Sequence, residues 1–223
     1  MGENFGETLF EVYRKLLTHF GKQNWWPVDR EYHLKNKTNP FDEIVIGAIL
    51  TQNTAWKNVE RSLERLKREG KLSLVWVERV PVEVLERIIQ PSGFYRQKAL
   101  YLKEVAKFIR SLRGAVPKRE DLLKVKGVGN ETADVILLYA YNRPQFVIDR
   151  YTLRWLRRFL GVEWDYRTAK RFFEENLPTN VPVYKEFHAL IDELAKNFCR
   201  SKEVKCEKCP LRGECKFRRE AIG

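Results

Sequence analysis

The chain has 223 residues, 43% of them hydrophobic, which is enough for one large domain or two small ones with a real core. Lysine and arginine outnumber acidic residues 42 to 30, and the formal charge of +12 points to a polyanionic partner, because neutralising phosphates releases counterions. No apolar run reaches bilayer length and the N-terminus lacks a signal-peptide layout, so a cytoplasmic, nucleoid-associated protein is expected rather than a membrane or secreted one.

Apolar spacings of three and four recur along the chain while strand-like alternation is scarce, so the expected class is all-α. An amphipathic helix comes first, with Leu9, Val12, Tyr13, Leu16 and Phe20 on one face. The stretch from Asn24 to Asn39 reads as a long loop, and loops of that length inside compact domains tend to carry function. Its Trp25 and Trp26 are adjacent, so a helix could not turn both toward one core, and Pro27 follows them. Helices are expected over 41–50, 56–70, 81–89 and 95–112, with Gly70 at one end and Pro81 in a first turn. Further helices are expected over 132–141, 152–160, 168–176 and 183–197.

Between two of these segments, Gly127-Val128-Gly129 reads as a tight hairpin turn whose glycines permit positive φ and close backbone approach to another molecule. Its N–H groups at a following helix start suit a phosphate, and Lys124 and Lys126 add charge. Asp149 follows the apolar run Phe146-Val147-Ile148 and precedes a helix, where it serves as an N-cap. Capping amides keep such a carboxylate ionised, and a fixed anion is what an oxocarbenium-like sugar transition state requires. All four cysteines, Cys199, Cys206, Cys209 and Cys215, lie near the C-terminus, which suits a metal group better than a disulfide framework. Four thiolates fit either zinc or a [4Fe–4S] cluster, although zinc ribbons usually carry two C-x-x-C knuckles and this chain has one.

Hairpin plus downstream aspartate resembles the endonuclease III, or helix-hairpin-helix, superfamily of DNA glycosylases over nearly the whole chain. Ile49 to Thr54 is similar to that family's segment bearing a glutamine, here Gln52, that enters the duplex. Pro91 to Ala99 is similar to its wedge loop, with Phe94 as the wedge, and the cysteines follow its C-x6-C-x2-C-x5-C spacing. The resemblance implies two helical lobes: a multi-helix barrel over 34–142, and a second lobe from 1–33 and 143–223 that carries the [4Fe–4S] loop. It also implies a monomer that binds damaged double-stranded DNA, flips out one nucleotide and uses Asp149 at the sugar. Lys126, Gly127, Val128, Gly129, Lys202 and Lys205 are the expected backbone contacts.

Two departures narrow the reading. Bifunctional members of the superfamily carry a Schiff-base lysine after the hairpin, whereas that slot here holds Glu131, which cannot form an imine. Trp25, Trp26, Pro27 and Trp56 resemble the base pocket of the 3-methyladenine glycosylase branch, whose cationic base suits aromatic faces and a carboxylate. The resemblance therefore implies excision of alkylated purines without strand cleavage. The alternatives are a glycosylase for oxidised or mismatched bases and a non-catalytic DNA-binding iron–sulfur protein.

Overall fold

A computed structural model describes residues 5–217. Its regular elements are all helical, with one isolated antiparallel bridge between Cys199 and Val204. In chain order the first six helices are α1 (Phe5–Phe20), α2 (Arg30–Asn36), α3 (Pro40–Leu50), α4 (Trp56–Arg68), α5 (Leu74–Arg79) and α6 (Val82–Ile89). There follow α7 (Tyr95–Ser111), α8 (Arg119–Leu123), α9 (Asn130–Val135), α10 (Arg150–Leu160), α11 (Tyr166–Asn176) and α12 (Val181–Asn197). No described helix is long and apolar enough to cross a membrane.

The chain divides into two compact units. The hairpin unit, Trp26–Asn142, is organised around α3, whose residues from Val45 to Leu50 are all buried. A helix apolar on every side has to be surrounded, and α4, α7 and α9 pack around this one. By contrast α4 buries a single face, Val59, Leu63 and Leu66.

The boundary falls between Trp25 and Trp26, ahead of the expected residue 34, and the segment after it is not a plain loop. Asp29 caps α2 by accepting the Tyr32 N–H at 2.9 Å, and Lys37 closes the helix in the left-handed region at φ 53°. The buried His33 then meets Glu43 at 2.9 Å and Thr38 at 2.8 Å, and Glu43 also takes the Asp29 amide and Lys67. Tertiary hydrogen bonds thus hold a helix too short and polar to stand out by periodicity. The short α5 and α8 escape the sequence pattern because six and five residues give too little periodicity. The helix expected over 132–141 also divides, with α9 giving way to a π-helical turn at Ile136–Ala140.

The cysteine unit, Met1–Trp25 with Arg143–Gly223, is built on rings. Phe146 stacks on Phe173 with centroids 4.0 Å apart and meets Tyr184 edge-on at 5.3 Å, while Trp155 stacks on Phe159 at 4.9 Å. Each such pair adds about 0.5–1.5 kcal/mol beyond its area. Phe146, Val147 and Ile148 are fully buried, and they deliver the chain to Asp149 at the head of α10.

Candidate active site

The hairpin joins α8 to α9. Gly127 has φ 89°, and a Cβ there would fall 2.1 Å from Cγ of Tyr101, so conformation and space both demand glycine. Gly129 is different. Its φ is −92°, which any residue adopts, and nothing lies within 4 Å of where a Cβ would stand. It is an exposed, uncovered stretch of backbone, whereas Val128 between the glycines is buried.

Braces hold this turn. Gln52 donates through Nε2 to the Gly127 carbonyl at 2.8 Å and to Thr132 Oγ1 at 3.0 Å. Arg119 grips the buried Asp134 with two bonds of 2.8 and 3.0 Å and reaches Asn130 Oδ1 at 2.9 Å. The structure therefore brings Gln52 to the hairpin, and entry of its side chain into a duplex requires those two bonds to break. Lys126 and Glu131 are exposed. Lys124 is paired with Asp121 at 2.9 Å.

Trp26 and Trp56 meet edge to face at 5.4 Å, and Tyr139 closes on Trp26 at 5.6 Å. Gly47 in α3 makes this possible, since a Cβ there would stand 2.8 Å from Trp26 Cζ2. Both tryptophans remain half-buried. Tyr139 escapes sequence reasoning because its spacing reads as core. Trp25 is half-buried in the cysteine unit, and Pro27 is exposed.

Phe94 is 67% exposed and sits at φ 46°, just after Gly93 at φ 68°. An aromatic held outward in the left-handed region costs strain of about 1–3 kcal/mol, which the surrounding structure must sustain. Lys98 supplies part of that support. This buried ammonium donates to the Leu50 carbonyl at 2.7 Å and the Ser92 carbonyl at 2.8 Å, and burial lowers its pKa to about 8. It too is missed by sequence reasoning, because lysines abound in amphipathic helices.

In the cysteine unit Asp149 is buried and caps α10, its Oδ1 accepting the Thr152 N–H at 2.7 Å. His188 and Asp192 of α12 crowd the same carboxylate. The four cysteines line one cavity, walled by Trp155, Phe159, Leu194 and Leu211. Arg158 donates to Cys199 Sγ at 3.3 Å, and Cys215 Sγ reaches the Arg158 carbonyl at 3.5 Å. Burial pushes the Cys209 thiol up to about 11, and the neighbouring thiols add to the effect. Four cysteines lining one apolar pocket are a donor set suited to a cationic metal group, which would favour their thiolate form. Lys202 and Lys205, in the loop before Cys206, are exposed.

Residues 46–179 match a family described as the HhH-GPD superfamily of base excision DNA repair proteins. A provisionally named DNA repair glycosylase of Methanocaldococcus jannaschii is 44% identical, over 96% of this chain and 99% of its own length. A trapped endonuclease III–DNA covalent intermediate superposes with a TM-score of 0.80 at 22% identity, over 98% of this chain and 99% of the other. A 3-methyladenine DNA glycosylase of H. pylori, bound to 1,N6-ethenoadenine, gives 0.67 at 28% identity, over 84% of this chain and 97% of the other.

Proposed function

This chain belongs to the HhH-GPD superfamily of base excision DNA repair proteins, and from that premise we propose that it is a monofunctional glycosylase for N-alkylated purines such as 3-methyladenine. The observation that carries the substrate is the aromatic group of Trp26, Trp56 and Tyr139, admitted by the bare Cα of Gly47. The H. pylori relative, with its bound modified adenine, supports the same reading. A purine alkylated on a ring nitrogen is cationic in DNA and is already a good leaving group. Stacking on electron-rich rings therefore favours it over a neutral base by about 0.5–2 kcal/mol, depending on desolvation. We assign Glu131 the complementary charge.

The remaining roles follow from exposure and burial. Hairpin amides around Gly129, with Lys126, Lys202 and Lys205, hold phosphates, and Phe94 fills the space left by the flipped nucleotide. Gln52 braces the hairpin before any part it takes in the duplex. Asp149 stabilises the developing sugar cation and orients water for attack on it. Because Glu131 stands where a Schiff-base lysine would act, no strand cleavage is expected at abasic sites, and borohydride should trap no protein–DNA adduct.

Cys199, Cys206, Cys209 and Cys215 fit a [4Fe–4S] cluster and would hold it. Bound there, the cluster would act as a structural clamp that fixes the loop bearing Lys202 and Lys205. Iron and sulfide in stoichiometric amounts are expected in protein purified without oxygen, and stoichiometric zinc without iron would refute this.

The deciding experiment is chromatography of bases released from methylated duplex DNA. Release of 3-methyladenine well ahead of oxidised pyrimidines is expected. Ready release of thymine glycol or mismatched bases without 3-methyladenine would overturn the substrate.

A further inference from the structure

Asp149 does not act from an isolated cap, because a second acid is packed against it. His188 and Asp192 stand one turn apart on α12, and one side-chain N or O atom of each lies with an Asp149 oxygen inside a 4.8 Å circle. The Asp149 and Asp192 carboxyls thus approach within 4.8 Å of each other. Yet the buried Oδ1 of Asp192 finds no N–H or O–H donor among the described residues. Two carboxylates this close bond each other only with a proton between them, and burial of Asp149 and of the Asp192 Oδ1 disfavours a second negative charge.

We propose that Asp192 is a positioning residue that keeps this proton and donates it to Asp149, holding Asp149 ionised and aimed for excision. The proposal rests on the reading of Asp149 as the carboxylate that serves the sugar. The proton belongs on Asp192 for reasons of position. Asp149 already accepts the Thr152 amide at 2.7 Å, which favours its anion, whereas no backbone amide is bonded to Asp192 among the described residues. Lys196 does lie 3.2 Å from Asp192, but that lysine is partly exposed and solvent screens it.

Burial, and then the charge of Asp149, raise the Asp192 carboxyl well above its ordinary range despite Lys196. Burial pushes Asp149 up as well, but His188, the Asp192 bond and the Thr152 amide outweigh it and leave Asp149 below its ordinary value. His188 is itself lowered by burial, against the pull of Asp149, and is neutral at pH 7. At that pH the task of holding the anion therefore falls on Asp192 and Thr152.

Other charged groups nearby are engaged elsewhere. Arg154 of α10 donates to the Cys199 carbonyl, and Tyr151 takes Lys196 over its ring at 5.8 Å. Glu193 of α12 accepts from Asn197, and Tyr13 of α1 packs on Phe187.

Infrared difference spectroscopy on the full chain tests where the proton sits. A protonated carboxyl band at pH 7 that disappears in Asp192→Asn is expected. Absence of the band, or its survival in that variant, overturns the proposal. Single-turnover base release from methylated duplex then supplies a pH profile. Asp192→Ala should move the acid limb up by about one pH unit, roughly tenfold in rate on that limb. Asp192→Asn, which keeps a donor but cannot ionise, should recover most of that loss and remove the alkaline fall that Asp192 gives the wild type. Superposable profiles for wild type and Asp192→Ala overturn the proposal. Absence of base release by wild type would overturn the functional reading instead, while the infrared band still decides the place of the proton.

Discussion

In the hairpin unit the candidate residues are on display. Phe94 is 67% exposed, Gly129 is bare backbone, and Lys126 and Glu131 reach into solvent. In the cysteine unit the carboxylate read as catalytic is only 8% exposed, at the end of a fully buried run and against two titratable side chains. The contrast matches the proposed roles. A surface that meets phosphates and bases must be bare before its partner arrives, whereas an anion that steadies a passing positive charge gains strength where water is scarce. The first kind of site depends on braces behind it, and the second on the packing around it.

The sharpest break of that comparison is Asp149→Asn. The amide caps α10 nearly as well, so folding and duplex binding should persist, while base release should fall by about 10²–10³-fold. Single-turnover excision beside a binding titration measures both, and an unchanged rate would reduce Asp149 to a cap.

The two hairpin glycines divide the braced part from the displayed part. Gly127→Ala should destabilise the chain by roughly 2 kcal/mol or more, because Cβ meets the Tyr101 ring and φ is positive. Gly129→Ala should change stability by no more than about 0.5 kcal/mol yet weaken duplex binding, because its Cβ would occupy the open space proposed for a phosphate. Urea denaturation and salt-controlled binding assays on both variants test the distinction.

Trp26→Ala should slow release of 3-methyladenine by up to about 30-fold, the loss of roughly 2 kcal/mol of desolvated stacking, and leave binding to undamaged duplex alone. Equal losses on both would return Trp26 to the core. The smallest effect expected is that of Lys126→Ala, which should lower the slope of log affinity against log salt by about 1 on any sequence.

Those residues were not equally legible in the sequence. The cysteines announce themselves by spacing, and Asp149 by its place between an apolar run and a helix. Gly127 is readable as a turn, but the two glycines are told apart by a positive φ and by Tyr101, a residue 26 positions away on α7, neither of which the local sequence displays. Tyr139 reads as core because the π-helical turn that carries it leaves no mark on apolar periodicity. His188 and Asp192 look like ordinary members of an amphipathic helix, and only the packing of α12 on α10 makes them neighbours of Asp149. Residues 30–36 read as loop because seven residues give too little periodicity, and the bonds that hold α2 come from Glu43 in the next helix.

Lys98 has a mechanical consequence. Its ammonium takes the carbonyl of Leu50, two residues before Gln52, and the carbonyl of Ser92, two residues before Phe94. One rivet thus fastens two segments that are 40 residues apart in the chain and that both lead to proposed DNA-contacting side chains. In the proposed role of Phe94, a duplex pressing on it would load the Gln52 segment through the same pin, and Gln52 is bonded to the hairpin turn. Phe94 and the hairpin are thereby linked through a short train of hydrogen bonds.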